Sequence, residues 1–328
     1  MNTELHTNSN IQTDSSLLEK LKQEAVDGLL GISKTLPSKY LYDEAGDRLF
    51  QDIMKMPEYY LTDCELDIFK NRTAELSDII IQDGQPFDLI ELGAGDAMKS
   101  SFLLKHLVNE GIKFTYRPID ISGHILNELE DRLGKEIPEL KIDPLAGEYF
   151  EMLGEATSLS ARRKVVLFLG GNIGNMEWKE IEKFCLELNQ SLSQGDMVLI
   201  GFDLRKNPHT ILNAYNDKAG ITAAFNLNML TRLNRELGAD FDTEQFQHYQ
   251  TYDPVSGACR SYLVSLKDQN VAIGGTTIPF LQNEFINIEV SQKFSLTEIA
   301  DLAERSGFKL LKNIQDSRGW FVDSAWKK

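Results

Sequence analysis

The sequence predicts an α/β protein with a Rossmann-like parallel sheet and an inserted α+β block. The segment Phe87–Leu92 reads as a buried strand that stops at a glycine turn and opens a helix, as in nucleotide-binding sheets. Strand-like apolar runs recur at residues 114–119, 165–169 and 197–202, separated by helix-like segments. This alternation is typical of parallel strands joined by crossover helices. The rhythm is lost between residues 203 and 289, which predicts the inserted block.

The segments on either side of this sheet can be assigned in chain order. Residues 1–16 lack an apolar stretch and are expected to form a frayed tail rather than a signal peptide. Thr62 is a plausible cap for the helix that precedes the sheet, and the adjacent Tyr59 and Tyr60 before it have the plain interpretation of a hydrophobic staple or a surface plug. The predicted helices outside the sheet are residues 17–30, 47–56, 63–72 and one or two within 208–237, and the predicted strands are 262–266, 271–273 and a closing hairpin of 308–314 and 320–325.

The bulk composition restricts partners and location. The 328 residues include 50 acidic and 34 basic side chains, a net charge of -16, which disfavours nucleic acid and anionic membranes as partners. No segment approaches the roughly 20 apolar residues that a membrane span needs. The three cysteines are an odd number and leave no disulfide framework, so we expect a cytoplasmic protein. The cysteines and the five histidines also lack metal-ligand spacing, so we expect no metal site.

The glycine turn after the first strand predicts a nucleoside-containing ligand. Gly93 and Gly95 allow close backbone approach, but the third glycine of a dinucleotide fingerprint is missing. Carboxylates at Glu91 and Asp96 suit a sulfonium and an amino-acid tail, which favours S-adenosylmethionine over NAD. Asp120 ends the next strand, where it can accept both ribose hydroxyls. The alternatives are a plain strand-to-helix junction and, for Asp120, a helix cap.

Polar side chains that could recognise an amino acid follow the third strand and recur late in the chain. Asn172 and Asn175 lie in a Gly-rich loop, and an asparagine amide can both donate and accept hydrogen bonds. The alternation of residues 284–293 places Asn287, Glu289 and Ser291 on one strand face, where Glu289 and Ser291 could clamp an imidazole. The alternatives are an Asn in left-handed turn geometry and a solvated strand face.

Taken together, these segments resemble the histidine-specific N-alpha-methyltransferases, which make trimethylhistidine (hercynine) on the ergothioneine route. The resemblance covers nearly the whole chain. Its motifs are residues 36–50, 57–60, 91–95, 170–175, 214–217, 225–226 and 289–293.

The resemblance implies a set of site residues. Tyr42 and Tyr59 are the expected catalytic residues. The expected cofactor-binding residues are Tyr42, Glu91, Gly93, Gly95, Lys99, Asp120, Glu148 and Tyr149. The expected substrate-binding residues are Phe50, Tyr59, Gly170, Asn172, Asn175, Tyr215, Glu289 and Ser291. Asn172 stands where a small hydroxyl residue is expected, and Glu148 replaces an expected Asp beside the adenine.

These features lead to a two-domain hypothesis. Residues 1–62 and 204–292 are expected to form a substrate-binding domain, and residues 63–203 and 293–328 an S-adenosylmethionine-binding methyltransferase domain. The expected activity is N-alpha-methylation of L-histidine by a monomeric enzyme whose partners are small molecules. The alternatives are the same reaction on another amino acid, such as tryptophan, and a non-catalytic sensor of S-adenosylmethionine or amino acids.

Overall fold

The computed structural model describes the backbone of residues 4–81 and 84–328, and the side chains of residues 17–81 and 84–328. The helices in this part of the chain are α1 (Glu4–Leu30), α2 (Glu44–Ile53), α3 (Tyr60–Asn71), α4 (Thr73–Ile80), α5 (Ser100–Asn109), α6 (Gly123–Glu136), α7 (Tyr149–Ser158), α8 (Trp178–Gln190), α9 (Pro208–Ala214), α10 (Ile221–Leu237) and α11 (Leu296–Arg305). The strands are β1 (Lys34–Thr35), β2 (Phe87–Leu92), β3 (Phe114–Asp120), β4 (Leu145–Ala146), β5 (Arg163–Phe168), β6 (Met197–Asp203), β7 (Phe246–Tyr252), β8 (Ala258–Ser265), β9 (Gln269–Ile273), β10 (Thr276–Phe280), β11 (Phe285–Gln292), β12 (Lys309–Gln315) and β13 (Phe321–Lys327).

The described chain divides into two compact units. The sheet unit comprises Tyr60–Lys206 and Gln292–Lys328, and the insert unit comprises Met1–Tyr59 and Asn207–Ser291. These boundaries follow residues 59, 206 and 291, whereas the sequence placed them after residues 62, 203 and 292.

The sheet unit has the predicted Rossmann-like topology. Its strand order is β12-β13-β6-β5-β2-β3-β4. Strands β2 to β6 run parallel, and the C-terminal hairpin β12-β13 joins β6 antiparallel, as the sequence predicted. The first strand of this sheet along the chain, β2, lies in its interior. The chain continues outward through β3 and β4 and then returns to form β5 on the other side of β2. The switch in direction therefore lies between β2 and β5, which is where such sheets bind ligands, at the carboxyl ends of the strands.

Apolar side chains from both faces of this sheet and its helices form the core of the sheet unit. Val166, Val198 and Val322 on neighbouring strands are fully buried, and helices α8 and α11 pack over them through Ile181 and Ile299. Strands covered on both faces read as nearly continuous apolar runs, which explains why the sequence located them so closely.

The insert unit has its own sheet and core, as expected for an α+β block. Its strand order is β1-β11-β8-β7, with a separate β9-β10 hairpin. Phe225 and Met229 of α10 pack with Leu263 of β8 and with Ile286 and Ile288 of β11. Three strands of this unit were not predicted: β1 has only two residues, polar residues interrupt β7, and Pro279 interrupts β10.

Three local predictions near the N-terminus need correction. Helix α1 begins at Glu4, so the expected frayed tail is wrong for residues 4–16, and residues 1–3 lie outside the described part. Helix α3 begins at Tyr60, which places Thr62 inside the helix rather than at its cap. Tyr60 is also buried and donates a hydrogen bond to Asp203 at 2.8 Å, so it is not a surface plug.

Candidate active site

The cofactor turn, residues 93–99, follows β2 in the sheet unit. Gly93 and Gly95 have φ values of +68° and +52°, and Ala97 also lies in the left-handed region at +50°. The Gly93 amide donates to the Ile119 carbonyl at 2.8 Å, which joins the turn to the end of β3. A Cβ added at Gly93 would lie 2.7 Å from the Tyr149 hydroxyl. The backbone is therefore held in a shape that leaves no room for a side chain at this point.

Asp120 lies at the carboxyl end of β3 with both oxygens directed to this region. One oxygen accepts from the Gly95 amide at 3.1 Å and the other from the Ser122 amide at 3.0 Å. Ser122, not Asp120, caps α6 by accepting from the Ile125 amide. The helix-cap alternative for Asp120 is therefore wrong. Each carboxylate oxygen has a second lone pair and can accept a ligand hydroxyl as well.

Glu91 is more deeply buried than the sequence suggested. Its side chain accepts a 2.6 Å hydrogen bond from the Tyr116 hydroxyl, and the residue is 4% exposed. Burial raises the pKa of Glu91 to about 7 despite the hydrogen bonds from Tyr116 and Ser100. At neutral pH this group is thus only partly ionised.

Tyr149, an expected cofactor-binding residue, lies against the turn at Gly93. Burial, assisted by the charges of Asp120 and Glu148, raises the pKa of Tyr149 to about 12. Its phenol therefore stays neutral beside Gly93. The residue also packs edge-on against Phe168 at the end of β5, with ring centroids 5.8 Å apart.

Lys99 and Gly170 meet at a residue that the sequence did not single out. The Lys99 ammonium pairs with the carboxylate of Glu65 on α3, and the Gly170 amide donates to both oxygens of that carboxylate at 2.8 and 2.9 Å. Burial lowers the pKa of Lys99, but the charge and hydrogen bond of Glu65, together with the nearby Asp323 and Glu91 carboxyl groups, outweigh burial and leave that pKa raised. Lys99 is thus a cation whose direction is fixed by Glu65.

The Gly-Asn loop, residues 170–175, follows β5. Gly171 has a φ of +70°, and a short 3₁₀ helix then runs over Asn172–Asn175. Gly170 is also left-handed, with a φ of +79°, and both left-handed positions of the loop are therefore glycines, so the turn alternative for Asn172 is wrong. The Asn172 amide packs against Gly170, where an added Cβ would lie 3.4 Å from its nitrogen. Gly174 packs more closely still on the backbone carbonyl of Gln292, which would lie 2.8 Å from an added Cβ.

Four predicted residues of the insert unit form one chain of aromatic contacts. Ring centroids lie 5.5 Å apart for Tyr42 and Phe50, 6.3 Å for Phe50 and Tyr59, and 6.3 Å for Tyr59 and Tyr215. Phe225, which the sequence placed in a family motif but not in the site, contacts both Tyr42 and Phe50 and is 2% exposed. This surface is rich in π faces, which attract cations.

Strand β11 brings Glu289 and Ser291 to one face, as the alternation predicted. The opposite face carries Ile286 and Ile288, which enter the core of the insert unit. Ser291 is 6% exposed and Glu289 is half-buried, so the strand is not a fully solvated face. The Tyr215 hydroxyl donates to the Ser291 hydroxyl at 2.7 Å, which connects this strand to the aromatic chain.

The described residues lack the arrangements typical of a metal site or a membrane span. In that part of the chain, no group of three or more His, Cys, Asp or Glu side chains is arranged to hold a metal ion. Likewise, no helix among the described residues is long and apolar enough to cross a membrane.

A comparison with known families decides the class of protein. The profile of a family described as "Histidine-specific methyltransferase, SAM-dependent" matches residues 21–328. The chain belongs to this family. The methyltransferase class, the S-adenosylmethionine cofactor and the resemblance found in the sequence are thereby confirmed.

Individual relatives of this methyltransferase align over most of its length. The histidine N-alpha-methyltransferase of Mycolicibacterium smegmatis is 34% identical over 299 residues, which cover 90% of this chain and 91% of that protein. The protein of the same name from Mycobacterium tuberculosis is 32% identical, covering 93% of this chain and 92% of that protein. Ergothioneine biosynthesis protein 1 of Schizosaccharomyces pombe is 30% identical over 86% of this chain, but only 37% of that longer protein is covered.

Proposed function

We propose that the protein transfers methyl groups from S-adenosylmethionine to the α-amino nitrogen of L-histidine, and that three successive transfers give trimethylhistidine. The observation that carries this proposal is the match of residues 21–328 to a histidine-specific methyltransferase family. The relatives named as histidine N-alpha-methyltransferases support the choice of nitrogen. The relative named as an ergothioneine biosynthesis protein supports a role of the product on that route.

The residues of the sheet unit fit the cofactor. Asp120 offers two carboxylate oxygens for the ribose hydroxyls, and Gly93 gives the adenosyl group access to the backbone beside the neutral Tyr149. Lys99 supplies a fixed positive charge for the carboxylate of the cofactor's amino-acid tail. When bound, S-adenosylmethionine supplies an activated methyl group on a positively charged sulfur.

The chain mainly orients the amine and receives its proton. An amine can attack only through a free lone pair, so each methylation requires the loss of a proton. The hydroxyls of Tyr42 and Tyr59 are the groups proposed to accept a hydrogen bond from the amine and to pass its proton to water. The rings of the aromatic chain then surround a nitrogen that becomes permanently cationic, each contact contributing on the order of 1 kcal/mol.

Histidine is proposed to be selected through its imidazole and its carboxylate. The Ser291 hydroxyl, which accepts from Tyr215, is also a donor group, and the Glu289 carboxylate is an acceptor group. A donor and an acceptor side by side match the two nitrogens of a neutral imidazole. The Asn175 amide is the proposed partner of the substrate carboxylate.

The activity can be tested directly with purified protein. Incubation with histidine and S-adenosylmethionine should give S-adenosylhomocysteine and a trimethylated product, resolved by mass spectrometry into its mono-, di- and trimethyl stages. Equimolar tryptophan should remain unmodified in the same mixture. Methylated tryptophan with untouched histidine would reject the substrate, and a lack of S-adenosylhomocysteine with every amino acid would reject catalysis.

A further inference from the structure

We propose that Glu65 is a positioning residue that fixes the cofactor turn and the Gly-Asn loop to each other through one buried carboxylate. This inference rests on the proposed function and deepens it, because it names the group that aligns two ligand-binding segments. The cofactor turn follows β2 and the Gly-Asn loop follows β5, and these strands flank the point where the sheet reverses its order. Ligands of open α/β sheets bind at this point.

The contacts of Glu65 show how one side chain can serve both segments. Its side chain is 1% exposed, which is rare for a glutamate unless it is paired. Lys99 pairs with one oxygen, and the Gly170 amide lies at hydrogen-bond distance from both. Removal of the carboxylate would leave a half-buried ammonium and a half-buried amide without this partner, so both segments would shift.

The sheet beneath Glu65 is shaped to receive it. Gly201 of β6 lies directly below, and a Cβ at that position would come within 2.5 Å of a Glu65 oxygen. Asp323, opposite Gly201 on β13, is fully buried and faces the Glu65 carboxylate. Burial and the nearby Glu65 charge raise the pKa of Asp323 well above its usual range. The neutral form of Asp323 is therefore favoured beside the Glu65 carboxylate, which pairs with Lys99.

Kinetics of three variants separate positioning from simple stability. Glu65→Gln keeps the shape of the side chain but has one acceptor oxygen and no charge, so KM should rise about tenfold or more for both S-adenosylmethionine and histidine. Lys99→Met leaves Glu65 bonded to Gly170, so KM should rise for S-adenosylmethionine and change less than about threefold for histidine. In the double variant, KM for S-adenosylmethionine should be no more than about threefold above that of either single variant.

A matched control comes from the neighbouring helix. Glu75 of α4 is also paired with two cations, Arg72 and Lys312, but its side chain is 22% exposed. Among the described residues, it contacts these cations and not the cofactor turn or the Gly-Asn loop. Glu75→Gln should leave both KM values within about twofold of the parent. Thermal unfolding of each variant would show whether it is folded before its kinetics are compared.

A magnetic-resonance measurement keeps the proposal testable if Glu65→Gln fails to fold. In the parent protein, saturation with S-adenosylhomocysteine should shift the amide resonance of Gly170. A ligand carboxylate that pairs with Lys99 would change the electrostatic field at Glu65, and the Gly170 amide donates to Glu65. In Lys99→Met, saturation with the same ligand should leave the resonance in place. An unmoved Gly170 resonance in the parent, or a Glu65→Gln variant that is less stable but has both KM values unchanged, overturns the inference. Since ligand binding is read without turnover, failure of the proposed histidine activity would be recognised separately.

Discussion

Gly93 is the single residue whose substitution should harm the cofactor site most directly. Its φ of +68° is strained for any L side chain, and a methyl group would lie 2.7 Å from the Tyr149 hydroxyl. We expect Gly93→Ala to weaken the binding of S-adenosylhomocysteine about tenfold or more, measured by titration calorimetry. Gly134→Ala in α6 is the control, since an added Cβ there meets nothing within 4 Å and binding should be unchanged.

Glu289 should decide affinity for histidine without affecting the cofactor. Glu289→Ala removes the proposed imidazole acceptor on β11, so KM for histidine should rise about tenfold or more while the affinity for S-adenosylhomocysteine stays within about twofold. Glu244→Gln removes a charge from an exposed position of the same insert unit and should change neither value. Unchanged histidine affinity in Glu289→Ala would exclude the imidazole role.

Residues with local signals were the ones that sequence reasoning could find. Gly93, Asp120 and Asn175 follow predicted strands, and the rule that parallel strands place ligands at their carboxyl ends is enough to single them out. Glu65 carries no such signal. It lies among Asp63 and Asp67 in a helix whose acidic residues read as a solvated face, and only the fold shows that Glu65 points inward.

At the level of single elements, helix α2 depends on the N-cap residue that directly precedes it. Asp43 caps the helix by accepting from the Gly46 amide at 2.8 Å, and it also accepts from Asn228 and Arg235 of α10. Burial opposes the charge, but Arg235 and the Gly46 amide lower the pKa of Asp43 below 3.8. The cap thus holds the helix that carries Phe50, next to Tyr42 in the aromatic chain.

Asp43→Ala should therefore lower the free energy of unfolding by about 2 kcal/mol at neutral pH, as measured by urea denaturation. Because the folded pKa is depressed, the ionised group stabilises the protein above its unfolded pKa, and this contribution disappears as the pH falls through the folded value. The difference between parent and variant should shrink accordingly below about pH 4. Asp52→Ala, at an exposed position of the same helix, should cost less than about 0.5 kcal/mol at either pH.

Elements were predictable where their environment is uniform. The bounds of β2 agree with the sequence prediction, and β3 and β6 each extend one residue further, because strands covered on both faces carry a strong apolar signal. Helix α3 begins three residues before the predicted start, since Tyr60 is held by a tertiary hydrogen bond to Asp203 rather than by a local cap. Such long-range contacts leave no trace in a short window of sequence.

For the whole molecule, Glu91 should make stability depend on pH in the opposite direction. Its folded pKa of about 7 exceeds the ordinary value of 4.5, so the folded state holds a proton that the unfolded state has released between these two values. The contribution of Glu91 to stability therefore declines as the pH rises from about 4.5 to 7. Two-state unfolding followed across this range would measure the slope.

Glu91→Gln should flatten that slope, because a neutral amide has no proton to lose and can still accept from Tyr116. At pH 8 the free energy of unfolding of Glu91→Gln should exceed that of the parent by up to about 3 kcal/mol, which is the pKa difference converted into free energy. Glu155→Gln, at an exposed position of α7, should leave the slope as it is. A slope that is equally steep with and without the Glu91 carboxyl would contradict the assignment.

The parallel pairing of β1 with β11 has a consequence for how the protein is made. Thr35 lies opposite Asn287, so the first strand of the insert unit has no partner until residue 287 has left the ribosome. The central strands of the sheet unit, from residue 87 to 203, emerge well before that moment. Vectorial synthesis therefore lets strands β2 to β6 pair first, while β1 remains unpaired until β11 emerges, and the sheet unit is completed only when β13 adds to β6.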